Sequence, residues 1–254
     1  MPYGTWIIRE IESPKGYVLS EEEIAVTIGK VDEVVEIELV NYFIKGNIAL
    51  TKVDEDYPDN KLSGAVFEVY SDTNGDGKLD KDDTLLGEMK ELDGGVYQMS
   101  ELRYGKYLVK ETKAPTGFVL DEDVYAVSIE ENGKTYTVEN KAGVGFINAA
   151  QKGSLKIVKT SSDGKVEGFS FRVTGVDYDQ TFKTDKNGEI VIEGLRIGDY
   201  TVSEVSDKAS AGYILPADKQ ATVKVNATAI VQMHNEFRDT PVSYTHLTLS
   251  TKRI

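Results

Sequence analysis

Lysine, glutamate and asparagine recur in this chain in phase with the apolar residues of alternating segments. In a β-strand, residues two apart share a face. Ile48 and Leu50 share one with Lys52, and Leu155 and Ile157 share one with Lys159. Tyr107 and Val109 fall in with Glu111, Tyr200 and Val202 with Glu204, and Trp6 and Ile8 with Glu10. Val35, Ile37 and Leu39 lead in phase to Asn41, Phe146 to Asn148, and Val231 and Met233 to Asn235. Each complete set aims one lysine, one glutamate and one asparagine into a core.

Buried charges must be paired or neutralised. Burial lowers a lysine pKa and raises a glutamate pKa. A neutral amine is a nucleophile. A protonated carboxyl polarises an amide carbonyl and carries protons, and an asparagine carboxamide beside both is an acyl donor. The product of such a set is a Lys–Asn isopeptide bond with loss of ammonia. Any one of these residues alone is better explained as a strand-end group reaching water, since lysine stems snorkel. Recurrence of the whole set in phase favours the chemistry.

These residues lie on blocks that repeat along the chain. Tyr3-Gly4-Thr5-Trp6-Ile7-Ile8-Arg9-Glu10 returns as Tyr104-Gly105-Lys106-Tyr107-Leu108-Val109-Lys110-Glu111 and as Ile197-Gly198-Asp199-Tyr200-Thr201-Val202-Ser203-Glu204. Pro14-Lys15-Gly16-Tyr17 follows the first glutamate and Pro115-Thr116-Gly117-Phe118 the second; the third copy keeps only Ala211-Gly212-Tyr213. An opening block, Gly46 to Lys52, matches Gly153 to Lys159. Short segments rich in Val, Ile, Tyr and Thr alternate with Asp93-Gly94, Asn132-Gly133 and Asn187-Gly188 turns. We expect an all-β chain of tandem immunoglobulin-like β-sandwiches, each with about seven strands. The divisions are a truncated repeat over 1–45, complete repeats over 46–151 and 152–238, and a tail over 239–254. The first repeat starts in mid-strand and Met1-Pro2-Tyr3-Gly4 resembles no signal peptide, so we expect an internal fragment of a longer protein.

These blocks resemble the B-type (CnaB) domains of collagen adhesins and SpaA-type pilins of Gram-positive bacteria. The signals are Lys52-Val53-Asp54, the run from Tyr107 to Phe118 and the final Asn148. The resemblance implies an autocatalytic bond between Lys52 and Asn148 promoted by Glu111, and one between Lys159 and Asn235 promoted by Glu204. Ser206-Asp207-Lys208 replaces the family's pattern after Glu204. Glu10 and Asn41 have no lysine strand and stay unpaired in the fragment. The implied role is a stalk of a cell-wall-anchored extracellular protein, joined to peptidoglycan by sortase, with any host extracellular-matrix ligand held by other domains. The bond forms once per domain, so the chain is not an enzyme in the turnover sense.

Asp72-Thr73-Asn74-Gly75-Asp76-Gly77-Lys78-Leu79-Asp80-Lys81-Asp82-Asp83 has calcium-loop spacing. Asp72, Asn74, Asp76, Asp80 and Asp83 would supply side-chain oxygens and Lys78 its carbonyl. The alternative is an acidic, solvated hairpin. No other cofactor is required by the sequence.

The remaining composition narrows the partners. The chain has 254 residues, 40% of them hydrophobic, and a net charge of -14, which disfavours nucleic acid. It has no cysteine, hence no disulfide, and no apolar run of membrane-spanning length. A ligand-binding adhesin module is the alternative to a stalk, but no long irregular loop or aromatic patch stands out. A pilus shaft would need a Tyr-Pro-Lys motif, and Tyr57-Pro58 is followed by Asp59. The segment Val242–Ile254 fits no repeat and resembles translated sequencing-adapter read-through.

Overall fold

The computed structural model describes residues 2–238 and divides into two compact units, one reaching to Ala150 and one starting at Gln151. The reading of Val242–Ile254 lies outside the described residues. All regular structure among the described residues is β.

The first unit contains β1 (Gly4–Arg9), β2 (Glu23–Ile28), β3 (Lys45–Asp54), β4 (Val66–Ser71), β5 (Thr84–Glu88), β6 (Lys90–Glu91), β7 (Val96–Arg103), β8 (Gly105–Lys113), β9 (Val124–Ile129), β10 (Thr135–Thr137) and β11 (Phe146–Asn148). Strands β10, β3, β7 and β6 form one sheet, with β11 also on β3, while β5, β4, β8 and β9 form another. The core between them holds Ile48, Leu50, Phe67, Val69, Tyr97, Val109, Ile129 and Phe146. Rings lock it: Phe67 stands edge-on to Tyr97 at 5.1 Å and to Phe146 at 5.0 Å, the geometry aromatic pairs prefer.

Strands β1 and β2 pair only with each other. Residues 1–45 group with the middle repeat rather than standing apart. Tyr104 N–H donates to the Ile44 carbonyl at 2.9 Å, and the Arg103 guanidinium lies 4.0 Å from the Phe43 ring centre. The alternation from Val35 to Asn41 predicts a closing strand here, but these residues form none. In the complete repeats that segment pairs with an opening strand. Among the described residues the first repeat has no such partner, and Val35 and Ile37 are exposed.

The second unit contains β12 (Lys152–Ser161), β13 (Ser170–Gly175), β14 (Tyr178–Lys183), β15 (Glu189–Arg196), β16 (Gly198–Val205), β17 (Tyr213–Ile214), β18 (Lys219–Val223) and β19 (Thr228–Phe237). Its sheets run β15-β12-β19-β17 and β14-β13-β16-β18. Leu155, Ile157, Phe169, Phe171, Val173, Tyr200, Val202 and Met233 fill the space between them. The turn after β14 carries Gly188 at φ 78°, a left-handed conformation that only glycine adopts without strain. A Cβ there would lie 2.7 Å from the Lys159 carbonyl, so the turn is pinned against the lysine strand.

Both complete repeats bring first and last strands together in parallel. Lys52 pairs with Phe146 and Asp54 with Asn148; Lys159 pairs with Met233 and Ser161 with Asn235. In each, the asparagine lies two residues beyond the lysine's partner and so on the lysine's face. The closing strands differ in continuity. β19 follows β12 unbroken from Ser154↔Thr228 to Ser161↔Asn235. In the middle repeat Thr137 pairs with Ala49, but the next pair is Phe146 with Lys52. The partner strand advances nine residues while β3 advances three, and the surplus forms a loop between β10 and β11.

Candidate functional site

The middle repeat assembles its three predicted residues in the core. Lys52 and Glu111 have no exposed side-chain surface and Asn148 is buried. Lys52 comes from β3 and Asn148 from β11, while Glu111 comes from β8 in the opposite sheet, paired to Phe67. The Asn148 Nδ2 donates to Glu111 Oε1 at 3.0 Å and Oε2 at 2.9 Å. Lys52 Nζ lies 3.9 Å from Glu111 Oε1, donates to the Phe146 carbonyl at 3.0 Å, and sits 5.2 Å from the centre of the Phe146 ring.

Burial governs both ionisable groups. It lowers the Lys52 pKa to about 8, against the opposing pull of Glu111, Asp121 and Asp54. It raises the Glu111 pKa, although the Asp121 N–H, the Asn148 amide and Lys52 all favour the carboxylate. A 3.9 Å ion pair would ordinarily push both values the other way. That it does not is the desolvation penalty exceeding the attraction between the charges. The balance moves toward a neutral amine beside a protonated acid.

The asparagine itself carries a further sign. Asn148 Oδ1 is buried and has no hydrogen-bond partner. A buried acceptor left unpaired costs about 1–3 kcal/mol. A carboxyl that holds its proton becomes a donor, and a carboxamide turned end for end offers it Oδ1. The orphaned oxygen and the raised glutamate pKa thus resolve together.

The last repeat places the same three residues together, with differences. Lys159 and Asn235 are buried and Glu204 is half-buried. Asn235 Nδ2 donates to Glu204 Oε1 at 2.7 Å. Burial again lowers the Lys159 pKa and raises that of Glu204. However, Lys159 Nζ donates to the carbonyl of its neighbour Thr160 and lies 4.2 Å from the Phe169 ring centre. Glu204 Oε2 and Asn235 Oδ1 are both buried without partners.

The first repeat supplies a contrast. Asn41 Nδ2 donates to Glu10 Oε1 at 2.6 Å and the Ser20 N–H to Oε2 at 2.7 Å. With solvent close by, these two bonds prevail and the Glu10 pKa is lowered. The same Glu–Asn pair therefore becomes acidic or basic in character according to whether a core encloses it.

Sequence reasoning missed the residues that hold this geometry. The Asp121 N–H donates to Glu111 Oε2 at 2.9 Å. The Asp121 carboxylate accepts from Tyr125 Oη at 2.8 Å and from Asn140 Nδ2 at 2.7 Å. Asn140, on the loop between β10 and β11, also donates to the Ile147 carbonyl at 2.9 Å and accepts from the Ile147 N–H at 2.6 Å. It acts as a one-residue strand on the edge of β11, next to Asn148. No periodicity marks a loop asparagine. The only available signal was the spacing of ten residues from Glu111 to Asp121, matched from Glu10 to Ser20.

The predicted calcium residues fold into a tight acidic loop. Asp72 Oδ1 and Oδ2 accept from the Gly75 and Gly77 N–H groups at 2.7 and 3.1 Å. Asn74 Oδ1 accepts from Asp76 N–H and Asp76 Oδ1 from Lys78 N–H. Asp80 Oδ2 accepts from Asn74 Nδ2, and Asp83 accepts from the N–H groups of Thr73 and Asp80. Lys106 Nζ donates to the Gly75 carbonyl at 2.7 Å. Among the described residues no group of three His, Cys, Asp or Glu side chains is arranged to hold a metal.

Fold and site together define a class: tandem β-sandwich repeats with a lysine, a glutamate and an asparagine enclosed in each complete repeat. The sequence matches the SpaA prealbumin-like fold domain over residues 1–42, 46–142 and 153–237, and the chain belongs to that family. A search of curated proteins returned no match. Among solved structures, the Bacillus anthracis TIE protein is similar at 27% identity and a TM-score of 0.70, over 94% of this chain and 42% of that one. The chain therefore spans less than half the length of that relative. A Streptococcal ancillary pilin is similar at 18% identity and a TM-score of 0.33, over 94% of this chain and 76% of that one. The minor pilin of Streptococcus agalactiae gives 16% identity and a TM-score of 0.35, over 82% of this chain and all of that one. No helix among the described residues is long and apolar enough to cross a membrane.

Proposed function

We propose that the chain is a stalk segment of a Gram-positive surface protein whose complete repeats, 46–151 and 152–238, are each closed by an amide bond formed inside the domain. Lys52 joins Asn148 and Lys159 joins Asn235. The observation that carries this is the buried Lys52–Glu111–Asn148 set, with burial driving its amine and its acid toward their neutral forms.

The neutral Lys52 Nζ attacks Asn148 Cγ while the Glu111 carboxyl donates to Asn148 Oδ1, stabilising the developing negative charge. Glu111 takes the surplus proton from the attacking nitrogen and delivers it to Nδ2. The Cγ–Nδ2 bond breaks, ammonia leaves, and an Nζ–Cγ amide remains. Glu111 is restored, and neither oxidant nor cofactor is consumed. Removing two buried polar groups and replacing them with one amide also relieves the desolvation that activated them.

The bond joins the first strand of a domain to its last. Force entering along β3 passes through the bond to Asn148 on β11 and leaves the domain there without unzipping what lies between. That suits an extracellular stalk anchored to the cell wall through segments outside this chain. Ligand-binding adhesin modules are the alternative, and they require a binding surface in addition to these cores. Calcium at the Asp72–Asp83 loop is a further proposal, supported by the ligand spacing and by lone pairs that the backbone N–H bonds leave unused.

The test is the intact mass of the full chain, with Lys52→Ala and Lys159→Ala beside it. Two ammonia molecules missing, one restored by each substitution, is the expected result. An unmodified mass in folded protein overturns the proposal.

A further inference from the structure

The three repeats form a comparison series for the glutamate's surroundings. After each glutamate the chain returns through a glycine and an aromatic residue, and the aromatic bridges the residue two beyond the asparagine. Tyr17 pairs with Phe43, Phe118 with Ala150, and Tyr213 with Phe237. Asn41, Asn148 and Asn235 each lie two residues before those partners. The alignment is therefore fixed by pairing and not by sequence similarity alone. It extends as Gly16-Tyr17-Val18-Leu19-Ser20, Gly117-Phe118-Val119-Leu120-Asp121 and Gly212-Tyr213-Ile214-Leu215-Pro216.

In the first two runs the last residue supplies a backbone donor to the glutamate, and the pairing puts Pro216 at the matching position in the third. The Ser20 N–H donates to Glu10 Oε2 at 2.7 Å and the Asp121 N–H to Glu111 Oε2 at 2.9 Å. Pro216 has no N–H to give. Glu204 Oε2 is the one glutamate oxygen among the described residues that is buried with no partner. The middle glutamate, held from behind, reaches Asn148 with both oxygens and lies 3.9 Å from its lysine. Glu204 reaches Asn235 with Oε1, and its lysine turns to Thr160 instead.

Building on the cross-link proposed above, we propose that the backbone N–H three residues beyond the loop aromatic is the positioning group that sets the rate of bond formation, and that Pro216 makes the last repeat the slow one. The chain is then a graded device. Its middle domain locks early, and its last domain remains unlinked for longer after folding. The donor identity is backbone, so side-chain chemistry at this position is free to vary between serine and aspartate, as it does between Ser20 and Asp121.

The experiment uses the full chain, made by cell-free synthesis and chased after translation is stopped. Cross-linked peptides containing Lys52–Asn148 and Lys159–Asn235 are quantified by mass spectrometry in the same molecules, so one repeat times the other. A carboxyl misplaced by about 1 Å loses on the order of a hundredfold in rate. The expected result is that the last repeat lags the middle one by about tenfold or more. Pro216→Ser and Pro216→Ala, which both restore an N–H, should close that gap, and Asp121→Pro should slow the middle repeat alone.

A pH series separates positioning from a mere change in loop stiffness. An N–H bond favours the carboxylate, so Pro216→Ser should move the limb of the last repeat's rate profile that Glu204 governs to lower pH. The charged groups facing Glu204 are Lys159 and Asp207, and neither is altered. Equal rates in the two wild-type repeats, or a Pro216→Ser and Pro216→Ala pair with the wild-type rate and profile, would overturn the inference while leaving the cross-link intact. Absence of ammonia loss in both repeats would instead overturn the cross-link itself.

Discussion

Glu111→Gln is the most informative single change, because it keeps the shape of the site while removing the acid. Lys52 and Asn148 stay side by side, buried, and unjoined. Without the bond the loop from Lys52 to Asn148 is open. Closing a loop of about 97 residues removes unfolded-state entropy worth about 4.7 kcal/mol, by the relation used for disulfides. For a domain of this size each kcal/mol moves Tm by about 4–8 °C, so the middle repeat should melt roughly 20–40 °C lower. Scanning calorimetry of the full chain should show one transition falling and the other, from 152–238, unmoved. Intact mass should show one ammonia restored, and fragmentation should place the loss of linkage at Lys52. If Glu111→Gln still loses both ammonia molecules, the glutamate is not the proton carrier. If the linkage is lost but Tm falls by less than about 5 °C, the entropic account of its stabilising effect fails.

Asn140→Ala unpairs the Ile147 N–H and carbonyl and leaves the Asp121 carboxylate one donor short, at a cost of about 1–3 kcal/mol. Hydrogen exchange should show β11 opening faster than β10, and unchanged protection at Ile147 would remove Asn140 from its edge-strand role. The Tyr213 and Ser161 hydroxyls hold the Asp163 pKa down to about 2, below its ordinary 3.8. Their stabilisation is complete above pH 3.8 and is lost as pH falls toward 2. Tyr213→Phe should flatten the acid dependence of exchange in β17 over that window, and an unaltered acid profile would contradict it. Calcium should give a saturable calorimetric signal in the range of about 10⁻⁴–10⁻³ M that Asp76→Ala abolishes. No heat with the wild-type chain would leave the loop as an acidic hairpin braced by Lys106.

The period-two pattern revealed most of this site because β geometry makes face assignment nearly deterministic. Lys52, Lys159, Asn148, Asn235 and Glu111 all lie on the buried side where the alternation put them. The pattern failed for Val35 to Asn41. Alternation says which face a residue would take in a strand, but not whether a partner strand is present to make one. The loop between β10 and β11 was illegible for a related reason. An insertion breaks the register silently, and Asn140 acquires its role only when the chain doubles back to the edge of β11.

Pro216 illustrates the opposite limit, where the residue was in view and its meaning was not. A proline in a loop after Gly-Tyr reads as ordinary turn chemistry. Its effect appears only when the Tyr17, Phe118 and Tyr213 pairings fix the alignment and the N–H of Ser20 and Asp121 is seen to end on a glutamate oxygen. The same comparison explains why one glutamate is held below its ordinary pKa and two above it. Glu10 and Glu111 have the same two donors, an asparagine amide and a backbone N–H, yet their pKa values move in opposite directions. Hydrogen bonding is therefore not what makes the acid. Enclosure by the sandwich does that, and the donors then decide where the carboxyl points. Activation belongs to the core and aim belongs to the loop, so substitutions in β3 or β8 should change whether the bond can form, and substitutions at 121 and 216 how soon.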